Sequence, residues 1–307
     1  MIEIKDKTDC CGCTACASTC PQKCIEMKPD FEGFLYPEVN KSICINCGKC
    51  EKVCPILNQK EVDCFIPQSY VMRTKDPDIL MTSTSGGFIT PLAKWISNLG
   101  GFICGAVYDG NFDVVHDIVT EGGIHRLQGS KYVQSNLNNC FERIKEHLEH
   151  KKLVCFIGTT CQVYGLQSYL GQEYSNLLTV DLVCHGVPSP KLWRKYLEYQ
   201  KNKHHSDITE ISFRNKTYGY HSSTMKIQFA NGKLYYNSAR TDPMLKSFFS
   251  EIASRPSCYR CHFKSVKRCS DFTIYDCWHI TQLVRNVTDD DKGYTNVIVQ
   301  TEKGMEV

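Results

Sequence analysis

The sequence predicts an α+β chain in two parts, a small module built around cysteines and a larger mixed α/β domain. Two observations carry that division. One pattern of cysteine spacing occurs twice before Ile56, and from Tyr70 onward apolar runs of strand length alternate with amphipathic runs of helix length. Composition is a third. With 42% hydrophobic and 22% charged residues in 307, the chain is ordinary for a globular protein and has material for two or three domains.

The doubled pattern is Cys10-x2-Cys13-x2-Cys16-x3-Cys20-Pro21 and Cys44-x2-Cys47-x2-Cys50-x3-Cys54-Pro55. It is the bacterial ferredoxin run for [4Fe–4S] clusters, proline included. A cuboidal cluster takes four thiolates. Three come from one tight loop whose spacing wraps the backbone around a cluster face, and two-cluster ferredoxins exchange the fourth between runs. Cys10, Cys13, Cys16 and Cys54 are therefore assigned to one cluster, and Cys44, Cys47, Cys50 and Cys20 to the other. A zinc ribbon needs only two cysteines per knuckle. A disulfide scaffold would be a short secreted chain. Cys11, Cys24 and Cys64 fall outside the pattern and read as small buried packing residues.

The formal net charge of +3 precedes any cluster, and thiolate-bound clusters would move the protein toward neutral or acidic. With no dense Lys/Arg run, this argues against a general nucleic-acid binder. Lys201-Asn202-Lys203-His204-His205 reads as a solvated helix end. Twenty cysteines, many of them expected cluster ligands, point to a reducing compartment, with the cytoplasm as the default. The N-terminus, Met1-Ile2-Glu3-Ile4-Lys5-Asp6, shows no apolar signal region, and no stretch approaches the length of a membrane span.

Residues 1–60 form the first module. Within it, Phe31 to Pro37 reads as an extended aromatic stretch that shields the clusters, and 59–69 as a linker. In the second part, 69–72 reads as a strand, and Phe88 to Leu99 as a helix stopped by Gly100-Gly101. Strands follow at 101–108 and 112–119 around an Asp109-Gly110-Asn111 turn. Next come an amphipathic helix over 137–150, buried strands over 153–157 and 178–183, and a helix from Ser189-Pro190 to about Tyr199. Beyond residue 207 strands dominate: 208–214, then 225–229 and 233–236 around Asn231-Gly232. A helix follows Pro243, and the remainder is cysteine-bearing loop and strand. A last strand over 296–300 comes close to Val307, so the chain reads as shortened at that end.

Further groupings have the look of sites. Ser83-Thr84-Ser85-Gly86-Gly87-Phe88 precedes a helix, where hydroxyls and bare amides suit an anion, or where a cap and glycines suit tight packing. Gly158-Thr159-Thr160-Cys161-Gln162 carries a strand into a helix and puts Cys161 in the first turn. Cys184-His185-Gly186 follows a strand, at the end where open α/β sheets hold ligands. Cys258-x2-Cys261, with Cys269 and Cys277 beyond, suggests a metal or redox pair. The expectation is a third [4Fe–4S] cluster on Cys161, Cys184, Cys258 and Cys261, with Cys269 as the substitute ligand. Gly129-Ser130-Lys131-Tyr132-Val133-Gln134-Ser135 would suit a flavin nucleotide, or serve as a polar surface loop.

Taken together, Ser83–Phe88, Gly129–Ser135, Gly158-Thr159-Thr160-Cys161-Gln162-Val163, Asp181–Pro188 and Arg255-Pro256-Ser257-Cys258-Tyr259-Arg260-Cys261 resemble the family of coenzyme F420 hydrogenase/dehydrogenase beta subunits. The likeness is to the bacterial form with a fused two-cluster ferredoxin domain. It covers almost the whole chain and implies a dicluster ferredoxin domain over 1–60 and a flavin-binding catalytic domain over 66–307. It also implies FAD, held by Ser85, Gly86 and Gly87 with Ser130, Lys131 and Tyr132, beside a cluster at Cys161, Cys184, Cys258 and Cys261. Relatives reduce or oxidise the deazaflavin F420, a plant relative reduces a chlorophyll derivative, and bacterial relatives often accompany surface-polysaccharide genes. This chain departs at Thr159-Thr160, where the family usually has Thr-Pro. It departs again at Tyr275-Asp276-Cys277-Trp278-His279, where the family often has Gly-Asp-x-Trp-Gly.

The implied activity is an iron–sulfur flavoprotein oxidoreductase working with a small hydride acceptor or donor and a redox partner such as ferredoxin or a hydrogenase/dehydrogenase subunit. Clusters carry one electron and a hydride two, and FAD handles either. No residue is nominated as acid or base. His185 reads as a proton relay or as a structural histidine. The rival classes are a non-catalytic electron-transfer subunit docked on an enzyme, and an iron–sulfur scaffold or sensor without flavin.

Overall fold

The computed structural model describes residues 1–59 and 65–307; Cys64 and most of the expected linker's charged half lie outside the described residues. In the N-terminal module each cysteine run folds the same way. Two left-handed residues, Gly12 and Thr14 in the first run and Asn46 and Gly48 in the second, curl the backbone inward. A single helical turn follows, α1 (Ala15–Ser18) or α2 (Lys49–Lys52). Between the runs, β1 (Ile25–Pro29) and β2 (Leu35–Val39) pair antiparallel, with Ile25 opposite Val39.

The aromatic stretch between them is not extended throughout. Asp30 accepts from the amides of Glu32 and Phe34 and folds residues 30–34 into a turn. Gly33, at φ +91°, lies so close to Lys191 that a Cβ would stand 2.5 Å from the lysine's. Phe34 is buried, but Phe31 is 75% exposed under the Lys7 ammonium, so only part of the stretch shields anything.

The second part is built on a mixed sheet, seven-stranded among the described residues, ordered β3 (Gln68–Met72), β12 (Thr295–Val299), β11 (Phe272–Asp276), β7 (Leu177–Leu182), β6 (Val154–Thr159), β4 (Phe102–Tyr108) and β5 (Val114–Val119). β4, β6, β7 and β11 run parallel at its centre, with antiparallel strands toward both edges. The apolar run of β6, buried from Val154 to Gly158, is what a strand covered on both faces requires. One face packs on α4 (Ile89–Asn98), the other on α5 (Cys140–Glu149) and α6 (Thr160–Leu170). α3 (Pro77–Thr82), which sequence reasoning passed over, starts on an Asp76 cap with Pro77 at its first position.

α7 (Pro190–His204) begins on Ser189 as expected but outruns the expected end near Tyr199. Gln200 is fully buried and His204 stacks on Phe229 at 4.4 Å, so packing carries the last turn onward. Lys201 and Lys203 suit its C-terminal dipole. α7 covers a second sheet of β8 (Ile208–Asn215), β9 (Thr224–Phe229) and β10 (Leu234–Asn237), beside α8 (Pro243–Phe249).

Candidate functional site

The two cysteine runs line two small, partly open cavities. The walls of one include Cys10, Cys13, Cys16 and Cys54, and those of the other Cys20, Cys44, Cys47 and Cys50. The fourth cysteine of each set comes from the opposite run, because each helical turn throws the chain across the module. The Ile2 amide donates to Cys50 Sγ at 3.2 Å, the kind of N–H···S bond that holds cluster ligands. Cys11 and Cys24 are buried, as expected of packing residues, but each lines one of the cavities. Cys24 Sγ lies 3.3 Å from Cys20 Sγ. The Cys11 thiol packs close to both Cys13 and Cys161.

Cys161, Cys184, Cys258 and Cys261 meet at one end of the main sheet. β6 and β7 are parallel neighbours, so Cys161 in the first turn of α6 and Cys184 just after β7 leave the sheet on the same side. A capping box of Thr159 and Gln162 fixes the start of α6. The loop carrying Cys258 is held against the Cys184 loop by the Pro188–Ser254 bridge and by the Arg255 amide donating to the Val187 carbonyl at 3.0 Å. Gly186, at φ +116°, lets the loops touch; a Cβ there would stand 2.6 Å from Ser254 Oγ. Burial pushes the Cys184 thiol up to about 12 and the Cys258 thiol to about 11, and the neighbouring thiols of the set add to the push. Such thiols give up protons on binding metal. Cys269 instead faces Tyr164 and Asp181, and Cys277 lies beside Asn296. Among the described residues no three Cys, His, Asp or Glu side chains are arranged to hold a single metal ion.

The loops expected to contact a flavin come together. Thr84 Oγ1 and Ser130 Oγ are 2.9 Å apart, and the Ser130 amide donates to Thr84 Oγ1 at 2.8 Å. Packing claims part of the set. Ser85 Oγ pairs with Thr295 Oγ1 at 2.8 Å, and the Gly86 amide donates to the same oxygen at 2.9 Å. A Cβ on Gly86 would lie 2.4 Å from the Met72 carbonyl, so tight packing by itself requires a glycine here. Gly87 turns the chain at φ +82°. The Tyr132 ring stacks on Phe248 at 4.0 Å, which covers one of its faces. The Lys131 ammonium, held to the Gln128 and Gly129 carbonyls, is pushed down to about 7 by burial. His185 is an exposed side chain 3.4 Å from Glu251, on the rim of this region.

Sequence reasoning missed a buried cationic band beneath these loops. Lys216 Nζ donates to the carbonyls of Leu80 and Ser85, both at 2.7 Å, and burial pulls its pKa down to about 8. Arg214 donates to Tyr132 Oη at 3.0 Å and Asp276 at 3.2 Å, over the Trp278 ring at 4.7 Å. Its Nε and Nη2 are buried without a hydrogen-bond partner. Phe213-Arg214-Asn215 at the end of β8, with Lys216 just beyond it, carries no local signal that its cations point inward.

Two cysteine-walled cavities in a module of this shape define an iron–sulfur protein, and residues 9–57 match the 4Fe-4S dicluster domain. Residues 151–307 match the family model for the C terminus of the coenzyme F420 hydrogenase/dehydrogenase beta subunit, so the chain belongs to that family. The flavin-contact candidates lie ahead of the matched segment. The coenzyme F420-dependent sulfite reductase of Methanocaldococcus jannaschii is 24% identical in an alignment spanning 100% of this chain and 46% of that protein. An F420H2 dehydrogenase subunit of Methanosarcina mazei is 23% identical over 60% of this chain and 55% of its own length. The chain thus spans about half the length of these curated relatives. A chain of the F420-reducing [NiFe] hydrogenase complex from Methanosarcina barkeri shares the fold, with a TM-score of 0.50 and 18% identity over 78% of this chain and 76% of that one.

Proposed function

We propose that the protein is an iron–sulfur flavoprotein oxidoreductase. It passes electrons between two ferredoxin-type clusters, a third cluster on Cys161, Cys184, Cys258 and Cys261, and FAD, and from there to or from a small hydride-accepting molecule such as an F420-like coenzyme. The observation that carries the reading is the convergence of those four cysteines beside the first cavity, with the Cys11 thiol between Cys13 and Cys161. Four thiols around each cavity fit the donor set of a [4Fe–4S] cube. FAD, when bound, exchanges electrons singly or in pairs and so joins clusters to a two-electron substrate.

The residues that would hold FAD are Ser85, Gly87, Ser130, Lys131 and Tyr132, with Arg214 and Lys216 supplying positive charge to a phosphate. Gly86 stays in the group as the residue that seats the loop. A reducing compartment, the cytoplasm by default, suits thiolate clusters. The redox partner would be a ferredoxin or a hydrogenase/dehydrogenase subunit.

The second reading is a non-catalytic electron-transfer subunit, favoured by similarity to chains that are themselves subunits of larger enzymes. Anaerobically reconstituted protein tests both. About twelve irons per chain, a flavin absorbance and turnover of a small hydride acceptor support the enzyme. About eight irons without flavin overturn it, and clusters with flavin but no turnover favour the docked subunit.

A further inference from the structure

Arg255 is fully buried and has an unusual set of partners. Its Nε donates to the Cys10 carbonyl at 2.7 Å, Nη1 to Gln134 Oε1 at 3.0 Å, and Nη2 to the Leu35 carbonyl at 2.9 Å and to Cys10 Sγ at 3.5 Å. Its guanidinium lies over the Tyr36 ring at 4.1 Å. All of these acceptors are formally neutral, and among the described residues no carboxylate pairs with it. A buried cation without a counter-charge is costly. The sulfur it donates to, Cys10, becomes anionic once it joins Cys13, Cys16 and Cys54 as a cluster ligand; Cys161 and Cys258 feel its charge but receive no hydrogen bond from it. The second cavity has no counterpart. Among the described residues no arginine donates to Cys20, Cys44, Cys47 or Cys50, and the Met1 ammonium near Cys44 and Cys50 is paired with Glu51.

We propose that Arg255 is a positioning and potential-setting residue for the first N-terminal cluster, clamping the Cys10 loop to the Cys258 loop and donating to the Cys10 sulfur. This rests on the ligand assignment proposed above. A fixed positive charge and an N–H···S bond both favour the more negative, reduced cluster. The first cluster should therefore take an electron more readily than the second, next to the Cys161 set, and electrons would collect on the buried side of the module.

The test is an EPR-monitored redox titration of anaerobically loaded protein, with Cys54→Ser and Cys47→Ser marking which signal belongs to which cluster. Arg255→Gln should lower the midpoint of the first cluster by about tenfold in its reduction equilibrium, or 59 mV for one electron, and leave the second unmoved. Arg255→Lys, which keeps the charge without the fork, should shift it less. A variant-free arm uses wild-type protein grown with guanidino-15N arginine. Pulsed EPR should then show 15N coupling in the reduced first cluster and none in the second. Equal shifts in both clusters, no shift in either, or absent 15N coupling overturns the proposal. Iron and spin counts short of two cubes overturn the ligand assignment instead, so the two failures read differently.

Discussion

The two cysteine runs are the same structure in different surroundings. Cys10 to Cys20 and Cys44 to Cys54 align position for position. Left-handed residues fall at Gly12 and Asn46 and again at Thr14 and Gly48, and one helical turn follows in each. The neighbours then diverge. Cys11 touches the Cys161 thiol where Ile45 is 59% exposed, Cys13 is buried where Cys47 is open to solvent, and fully buried Ala15 corresponds to exposed Lys49. α6 causes the difference. Gly165 brings its backbone so near that a Cβ would lie 2.6 Å from that of Cys13. The spacing motif sets what each run can bind; packing sets which one faces the rest of the protein and which faces outward.

Removing a ligand from each run should break this pairing most visibly. Cys13→Ser and Cys47→Ser should each cost about four irons per chain. Only the first should also lower the melting temperature of the second domain, because Cys13 belongs to the core shared with α5 and α6. Equal thermal losses would mean the two runs are equivalent after all. Exchanging Ala15 and Lys49 sharpens the point. Ala15→Lys buries a charge and should destabilise by about 3 kcal/mol or more, or prevent folding. Lys49→Ala should stay within about 0.5 kcal/mol in urea denaturation.

That contrast was partly legible in the sequence. The first run's helical turn reads Ala15-Cys16-Ala17-Ser18 and the second Lys49-Cys50-Glu51-Lys52, a small buried face against a charged exposed one. The dicluster module, the strand–helix alternation and the starts of α6 and α7 were readable because spacing, caps and Pro at a first helical position are local signals. What stayed hidden depends on contacts distant in the chain. Cys11 read as packing because its partner lies 150 positions away. Arg255 and Lys216 drew no role of their own because nothing nearby in sequence says that a guanidinium will meet Cys10 or an ammonium Ser85. Gly86 invited a ligand reading, but it is the backbone of β3 and β12 that demands it.

Acid should separate the buried side from the exposed one. His116 is buried, with Nε2 at 3.0 Å from the Ile157 carbonyl and Nδ1 at 2.8 Å from Ser135 Oγ, which in turn accepts from Gln162 at the start of α6. Burial holds its pKa down at about 4, against 6.5 for a free histidine. Between those values the unfolded chain binds a proton that the native one refuses. The stabilisation is therefore complete above pH 6.5 and lost as pH falls toward about 4. The loss should reach about 2–3 kcal/mol. Denaturation at pH 7 and pH 4.5 should show it, and His116→Gln should flatten that part of the slope. His116 braces the start of α6, which packs against the first run and not the second, so the second cluster signal should outlast the first as pH drops. Simultaneous loss of both signals would count against a separate buried junction.

The smallest effect tests the shared backbone itself. Thr14 is a β-branched residue at φ +63°, where a side chain costs about 1–2 kcal/mol, and its hydroxyl is buried without a partner. Gly48 holds the equivalent place at φ +71° with nothing within 4 Å of a Cβ. Thr14→Gly removes the strain and the orphan hydroxyl, partly offset by about 0.5–1 kcal/mol of added freedom in the unfolded chain, and should stabilise by about 1 kcal/mol. Gly48→Thr has room for its side chain but not the backbone preference, and should destabilise by about 1–2 kcal/mol. Opposite signs at matched positions follow only if both runs adopt the same left-handed turn. A stabilising Gly48→Thr, or a Thr14→Gly that weakens the fold, would show that the runs share spacing without sharing shape.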